Sequence, residues 1–120
     1  MTPDELRTYC LGFDGASEDR PFPGSPGLSV FRVGGKIFAF CALDGVPLQV
    51  SLKCEPELAV QLRAAHAAVM PGYHLDKRHW NTVTLDGTLP GQMVEDMVED
   101  SYDLVVAGLS RAERLRLDRP

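Results

Sequence analysis

Between residues 28 and 53 the chain reads as three β-strands in a row, joined by turns short enough to make each neighbouring pair a hairpin. Residues 28–33 and 36–43 are rich in Val, Ile and Phe, and Gly34-Gly35 between them is a two-residue connection suited to an antiparallel pair. Asp44-Gly45 marks the next turn. Residues 47–53 then alternate strictly, with Leu48, Val50 and Leu52 on one face and Gln49, Ser51 and Lys53 on the other. Two successive hairpins force antiparallel pairing, and the alternation leaves one sheet face packed and the other polar.

The remaining pattern supplies helices for the packed side. Thr2, Pro3, Asp4 and Glu5 read as an N-cap and first turn, Leu6, Tyr9, Cys10 and Phe13 as an apolar face, and Gly12 and Gly15 as the stop. Residues 16–27 hold three prolines around Phe22 and read as an ordered loop pinned to the body by that ring. Glu55-Pro56-Glu57 opens a second helix, which Leu58, Leu62, Ala65 and Val69 continue until Pro71-Gly72. Residues 80–85 alternate again, with Val83 and Leu85 inward and Trp80, Thr82 and Thr84 outward. A last helix over residues 90–107 sets Val94, Met97, Val98, Ser101 and Val105 against Glu95, Asp96, Glu99, Asp100 and Asp103, and Gly108 ends it. The fold class that follows is α+β: a two-layer sandwich in the order α, three strands, α, one or two strands, α, its antiparallel sheet covered by helices on one face. Residues 1–108 form the single domain. Residues 109–120 form a basic tail or short helix opened by a Ser110–Glu113 capping box.

With 120 residues the chain has room for one core. No apolar run is long enough to span a bilayer and the N-terminus lacks a signal-peptide core, so a cytoplasmic location is expected. Cys10, Cys41 and Cys54 have no C-x-x-C spacing and read as reduced structural thiols. The net charge of −5 opposes bulk attraction to nucleic acid. The tail differs, with Arg111, Arg114, Arg116 and Arg119 against Glu113 and Asp118.

The stretch that carries chemistry is PGYHLDKRHWNT, residues 71–82, which gathers two histidines, two cations, Tyr73 and the lone tryptophan. Residues 75–78 read as a hairpin tip that projects Lys77 and Arg78 as a basic wing, and Gly34-Gly35, between Arg32 and Lys36, as a second cationic turn.

Four segments, VFRVGGKIFAF, VSLKCEPELA, PGYHLDKRHWNTV and SYDLVVAGL, resemble in this order the MmcQ/YjbR family over nearly the whole chain. The resemblance implies a fold similar to that of the bacterial frataxin homologue CyaY. It also implies DNA binding, since family members are described as DNA-binding proteins with a double-wing motif. The family pattern GYHxxKxHWN falls on Gly72, Tyr73, His74, Lys77, His79, Trp80 and Asn81, and its GGK hairpin on Gly34, Gly35 and Lys36. Asp76 stands where many relatives carry asparagine.

Four functions compete for these residues. For nucleic acid, Arg32, Lys36, Lys53, Lys77, Arg78 and His79 would meet phosphates and Trp80 would stack on an unpaired base. For a protein or small-ligand partner, or a homodimer, the surface would be the polar sheet face, with Gln49, Ser51, Tyr73, His74, Asn81 and Thr82 around Trp80. For a metal, His74, His79, His66, Cys54 and the acidic helix face are available, but none has the spacing of a closed site. For catalysis, Cys54 before a helix N-terminus could have a lowered pKa with His74 or His79 as base, but no oxyanion or cofactor loop accompanies it. The expectation is a binding protein with no catalytic residues, metal or cofactor.

Overall fold

The computed structural model describes residues 1–117, and the end of the basic tail lies outside the described residues. The elements run α1 (Pro3–Leu11), β1 (Ser17–Asp19), β2 (Leu28–Val33), β3 (Lys36–Ala42), β4 (Gln49–Lys53), α2 (Pro56–Ala65), β5 (Val69–Pro71), β6 (Trp80–Thr84), α3 (Gly91–Ala107) and α4 (Arg111–Leu117). The strands form one antiparallel sheet in the order β1-β2-β3-β4-β6-β5. This is the expected mixed α+β architecture, with one extra strand before the first hairpin; of the two forms expected for the tail, the described part takes the short helix. No described helix is long and apolar enough to cross a membrane.

Local chemistry explains the clearest boundaries. The Thr2 hydroxyl accepts the Glu5 main-chain N–H (3.1 Å) and the Glu5 carboxylate accepts that of Thr2 (2.9 Å), a closed capping box with Pro3 in the first turn. In the β2–β3 turn Gly34 and Gly35 both take positive φ, 58° and 79°. A Cβ on Gly34 would stand 2.7 Å from the Leu109 side chain, so the start of the tail packs against this hairpin. In α4 the Glu113 main-chain N–H donates to the Ser110 hydroxyl, as a capping box requires, but the Glu113 carboxylate accepts from that same hydroxyl and not from the Ser110 main chain.

Three expectations are corrected. Residues 16–27 are not all loop, because Ser17–Asp19 pairs with β2 as the sheet edge. Phe22 does not pin this segment, being 41% exposed. The second helix stops at Ala65, where His66 turns extended (φ −135°, ψ 120°), and Val69 enters β5 to pair with Val83. A valine four residues after Ala65 fits a helical face and a strand equally well, and no Gly or Pro marks the break.

The core lies between the sheet and α1 and α3, where Leu6, Cys10, Phe31, Phe38, Val50, Leu52, Val83, Val98 and Val105 are buried together. A bulge in β3 shapes it. Phe31 pairs with Ala39 but Arg32 pairs with Ile37, so Phe38 is the unpaired residue and turns inward beside Ala39. Its ring meets those of Phe13 (6.1 Å), Tyr102 (5.4 Å) and Phe31 (6.5 Å). The fully buried Ser101 on α3 closes the polar account there: its hydroxyl donates to the Phe38 carbonyl (2.6 Å) and accepts the Lys53 main-chain N–H (2.8 Å).

At the β1 edge, Glu18 faces the helix layer and accepts from Ser29 (2.7 Å) and from Arg7 on α1 (2.6 Å). Burial pushes its carboxyl up, but the bonds from Ser29 and Arg7 and the nearby Arg charges prevail, and it sits below its ordinary 4.5. A carboxyl lowered on folding adds stability that is complete above its unfolded pKa and is lost as pH falls through the folded one. Glu18→Gln is therefore expected to be less stable than the parent at pH 7. The gap in denaturation midpoint between the two proteins should close once the pH drops below Glu18's lowered pKa; a gap independent of pH would refute the assignment.

Candidate functional site

The bulge and the pairing registers sort the strand residues onto two faces. Phe31, Ala39, Leu52 and Asn81 share the helix side, and so do Cys41, Val50, Val83 and Val69. The intervening rows, Val30-Phe40-Ser51-Thr82-Met70 and the pairs Lys53-Trp80 and Gln49-Thr84, lie on the opposite face, which no helix covers among the described residues. Phe40 and Trp80 meet edge to face there at 5.4 Å, each ring partly exposed. Lys53 stands directly across from Trp80, which in an antiparallel ladder brings the two Cβ atoms to about 5 Å.

The hydroxyl and amide groups of this face satisfy one another. Ser51 and Thr82 hydroxyls bond at 2.8 Å, Gln49 donates to the Thr84 hydroxyl at 3.1 Å, and the Tyr73 main-chain N–H donates to Thr82 at 3.0 Å. Ser51 and Thr82 are buried between larger neighbours. Tyr73 is 70% exposed, with the His74 ring 4.0 Å from its own. His74 has φ 57°, a left-handed conformation that costs a non-glycine residue about 1–2 kcal/mol.

The connection 72–79 is not a projecting wing. The Lys77 ammonium folds back onto the Gly72 carbonyl (3.0 Å), and the Arg63 guanidinium on α2 holds the Lys77 carbonyl (2.8 Å). Asp76 accepts the Arg78 main-chain N–H (3.0 Å), an Asx turn that asparagine makes equally well, and its carboxylate lies 3.9 Å from His79. Gly72 is required by proximity, since a Cβ there would fall 2.8 Å from that of Trp80. The tip thus lies over α2, where Lys77 and Arg78 line a shallow cleft with Pro56, Glu57, Val60 and Arg63.

Asn81, expected on the ligand face, belongs to the other side. It is buried, donates to the Ala59 carbonyl (3.3 Å) and accepts from Arg63 (3.2 Å), so it anchors the sheet to α2. Arg32, expected at a phosphate-binding turn, donates to the Gly35 carbonyl (3.2 Å) and faces Asp19 at 3.7 Å. Lys36 is exposed beside it. Nothing in the local pattern singles out Arg63, whose role depends on Lys77 and Asn81, both remote in the chain.

The activation of Cys54 weighed for a catalytic reading has no support in its surroundings. Burial, then the charges of Asp100 and Glu55, push its thiol up, and burial takes Cys10 and Cys41 to about 12. Among the described residues no three His, Cys, Asp or Glu side chains converge as a metal site would need. On the outer face of α3 acidic crowding is evident at Asp100, whose carboxyl is raised by burial and then by Asp103 and Asp96.

The model of the YjbR family matches residues 11–104. The chain belongs to this family. Its relatives include the uncharacterised protein YjbR of Escherichia coli (strain K12), 37% identical over 114 residues that cover 95% of each chain. The uncharacterised protein YbdF of Escherichia coli O157:H7 is 34% identical over 80% of this chain and 79% of its own. Among solved structures, the Deinococcus radiodurans protein DR2400, a DUF419 domain, is 40% identical with a TM-score of 0.91 over 99% of this chain and 89% of its own. A Pseudomonas syringae protein superposes with a TM-score of 0.76 at 28% identity, over 87% of this chain and 98% of its own. Within this YjbR-family chain the motif of residues 72–81 divides in two. Gly72, Lys77 and Asn81 build the loop, while Tyr73, His74 and Trp80 leave it accessible side chains.

Proposed function

We propose that this YjbR-family protein binds nucleic acid, without catalysis, through the helix-free face of its sheet. The observation that carries the reading is the pairing of Lys53 with Trp80 on that face, a cation for a phosphate beside a ring for a base. The net charge of −5 weighs less than it did in the sequence. Glu95, Asp96, Glu99, Asp100 and Asp103 belong to α3, in the helix layer and not on the helix-free face of the sheet.

Lys53 and Arg32 are the cations that the pairing places on this face, Arg32 with Asp19 beside it. Oligonucleotide binding followed by fluorescence anisotropy should therefore weaken with salt, with a log–log slope of about −1 to −2. Lys53→Glu should lower the affinity and flatten that slope by about 1. Absence of binding at low salt to every DNA and RNA probe tried would overturn the proposal.

A second reading, a protein partner on the same face, draws on the exposure of Met70 and Tyr73 beside Thr82. It requires association with a polypeptide or a second copy that persists at high salt and is lost in Trp80→Ala.

A further inference from the structure

We infer that the nucleic acid this face takes is single-stranded, held with its bases unstacked and with little sequence preference; the inference rests on the function proposed above. Direct reading of a duplex needs a helix or two-stranded ribbon that enters the major groove. Neither hairpin of this chain offers a free ribbon. The β2–β3 turn has Leu109 and Glu113 packed against Gly34, and Arg32 is turned back onto Gly35. The β5–β6 connection lies on α2, with Lys77 bonded to Gly72 and its carbonyl held by Arg63.

What remains is a platform. Trp80 stands on the open face with its ring braced by Phe40, and Tyr73 is tied through its main-chain N–H to Thr82, two residues along the same strand and face. Alternate residues of a strand are about 7 Å apart, roughly twice the 3.4 Å step of a stacked nucleic-acid strand. Bases seated on Trp80 and over Thr82, where Tyr73 is tied, would be separated from one another by that spacing, which a duplex cannot allow. The charge pattern suits the same occupant, with Lys53 across from Trp80 and the α3 carboxylates on the opposite layer. Ser51, Thr82, Gln49 and Thr84 already bond to each other, so the centre of the face has few donors left to read base edges, and stacking alone is tolerant of sequence.

The test compares labelled oligothymidylate, a mixed-sequence single strand and the mixed-sequence duplex on the full chain. Tighter binding of both single strands than of the duplex, by about tenfold or more, is expected. Tyr73→Ala and Trp80→Ala should each weaken single-strand binding by about 5- to 100-fold. Because Trp80 also packs on Phe40, Trp80→Phe serves as its control, and its affinity should lie nearer the parent's. Duplex bound as tightly as single strand, or aromatic variants with unchanged affinity, would overturn the inference and leave nucleic-acid binding standing. No binding to any of the three would overturn both.

Discussion

Phe38→Ala is expected to lower stability by about 3–5 kcal/mol, the usual cost of removing a buried aromatic ring, read as a fall in the urea midpoint with little change in slope. The ring is fully buried and touches Phe13, Phe31 and Tyr102, while Phe13 and Tyr102 stack on each other at 4.6 Å. It therefore joins α3 and the turn that follows α1 to the sheet at one point. Domains of this size are stable by about 5–15 kcal/mol in total, so the variant should be close to unfolded at physiological temperature. A loss under about 1 kcal/mol would mean that the bulge does not turn Phe38 into the core.

Ser101→Ala is expected to cost about 2–4 kcal/mol, since it leaves the buried main-chain groups of Phe38 and Lys53 without the partner both share. Amide exchange at Lys53 should accelerate more than at Val50, whose strand neighbours are unchanged. Ser101→Thr, which keeps the hydroxyl, should recover part of the loss. The same bond bears on the proposed function, because it fixes from beneath the sheet the residue that pairs across the ladder with Trp80. A fully stable Ser101→Ala would show that water or a main-chain shift replaces the hydroxyl.

Both predictions come from a feature that the sequence could not display. Strict alternation through residues 36–42 sets Phe38 and Phe40 on the same face; the bulge separates them, sending one into the core and leaving the other beside Trp80. The hairpins, β4, α1 and α3 could be read in advance because turn glycines, caps and periodicity are local signals. β1 could not, since an edge strand of three polar and charged residues is specified by main-chain pairing and by Glu18 meeting Arg7 and Ser29. The site divides in the same way. Trp80, Lys53 and Tyr73 were recognisable from residue type and alternation, whereas the folding back of Lys77 and the inward turn of Asn81 depend on Gly72, Arg63 and Ala59.

The most direct measurement of where this protein works is a backbone-amide NMR titration with a short single-stranded oligonucleotide. Shifts are expected to concentrate at Gln49, Ser51 and Lys53 on β4, at Trp80, Thr82 and Thr84 on β6, and at Tyr73 and His74, with α3 unaffected. Shifts centred on Gly34 and Lys36, on Lys77 and Arg78, or on α3 would contradict the account.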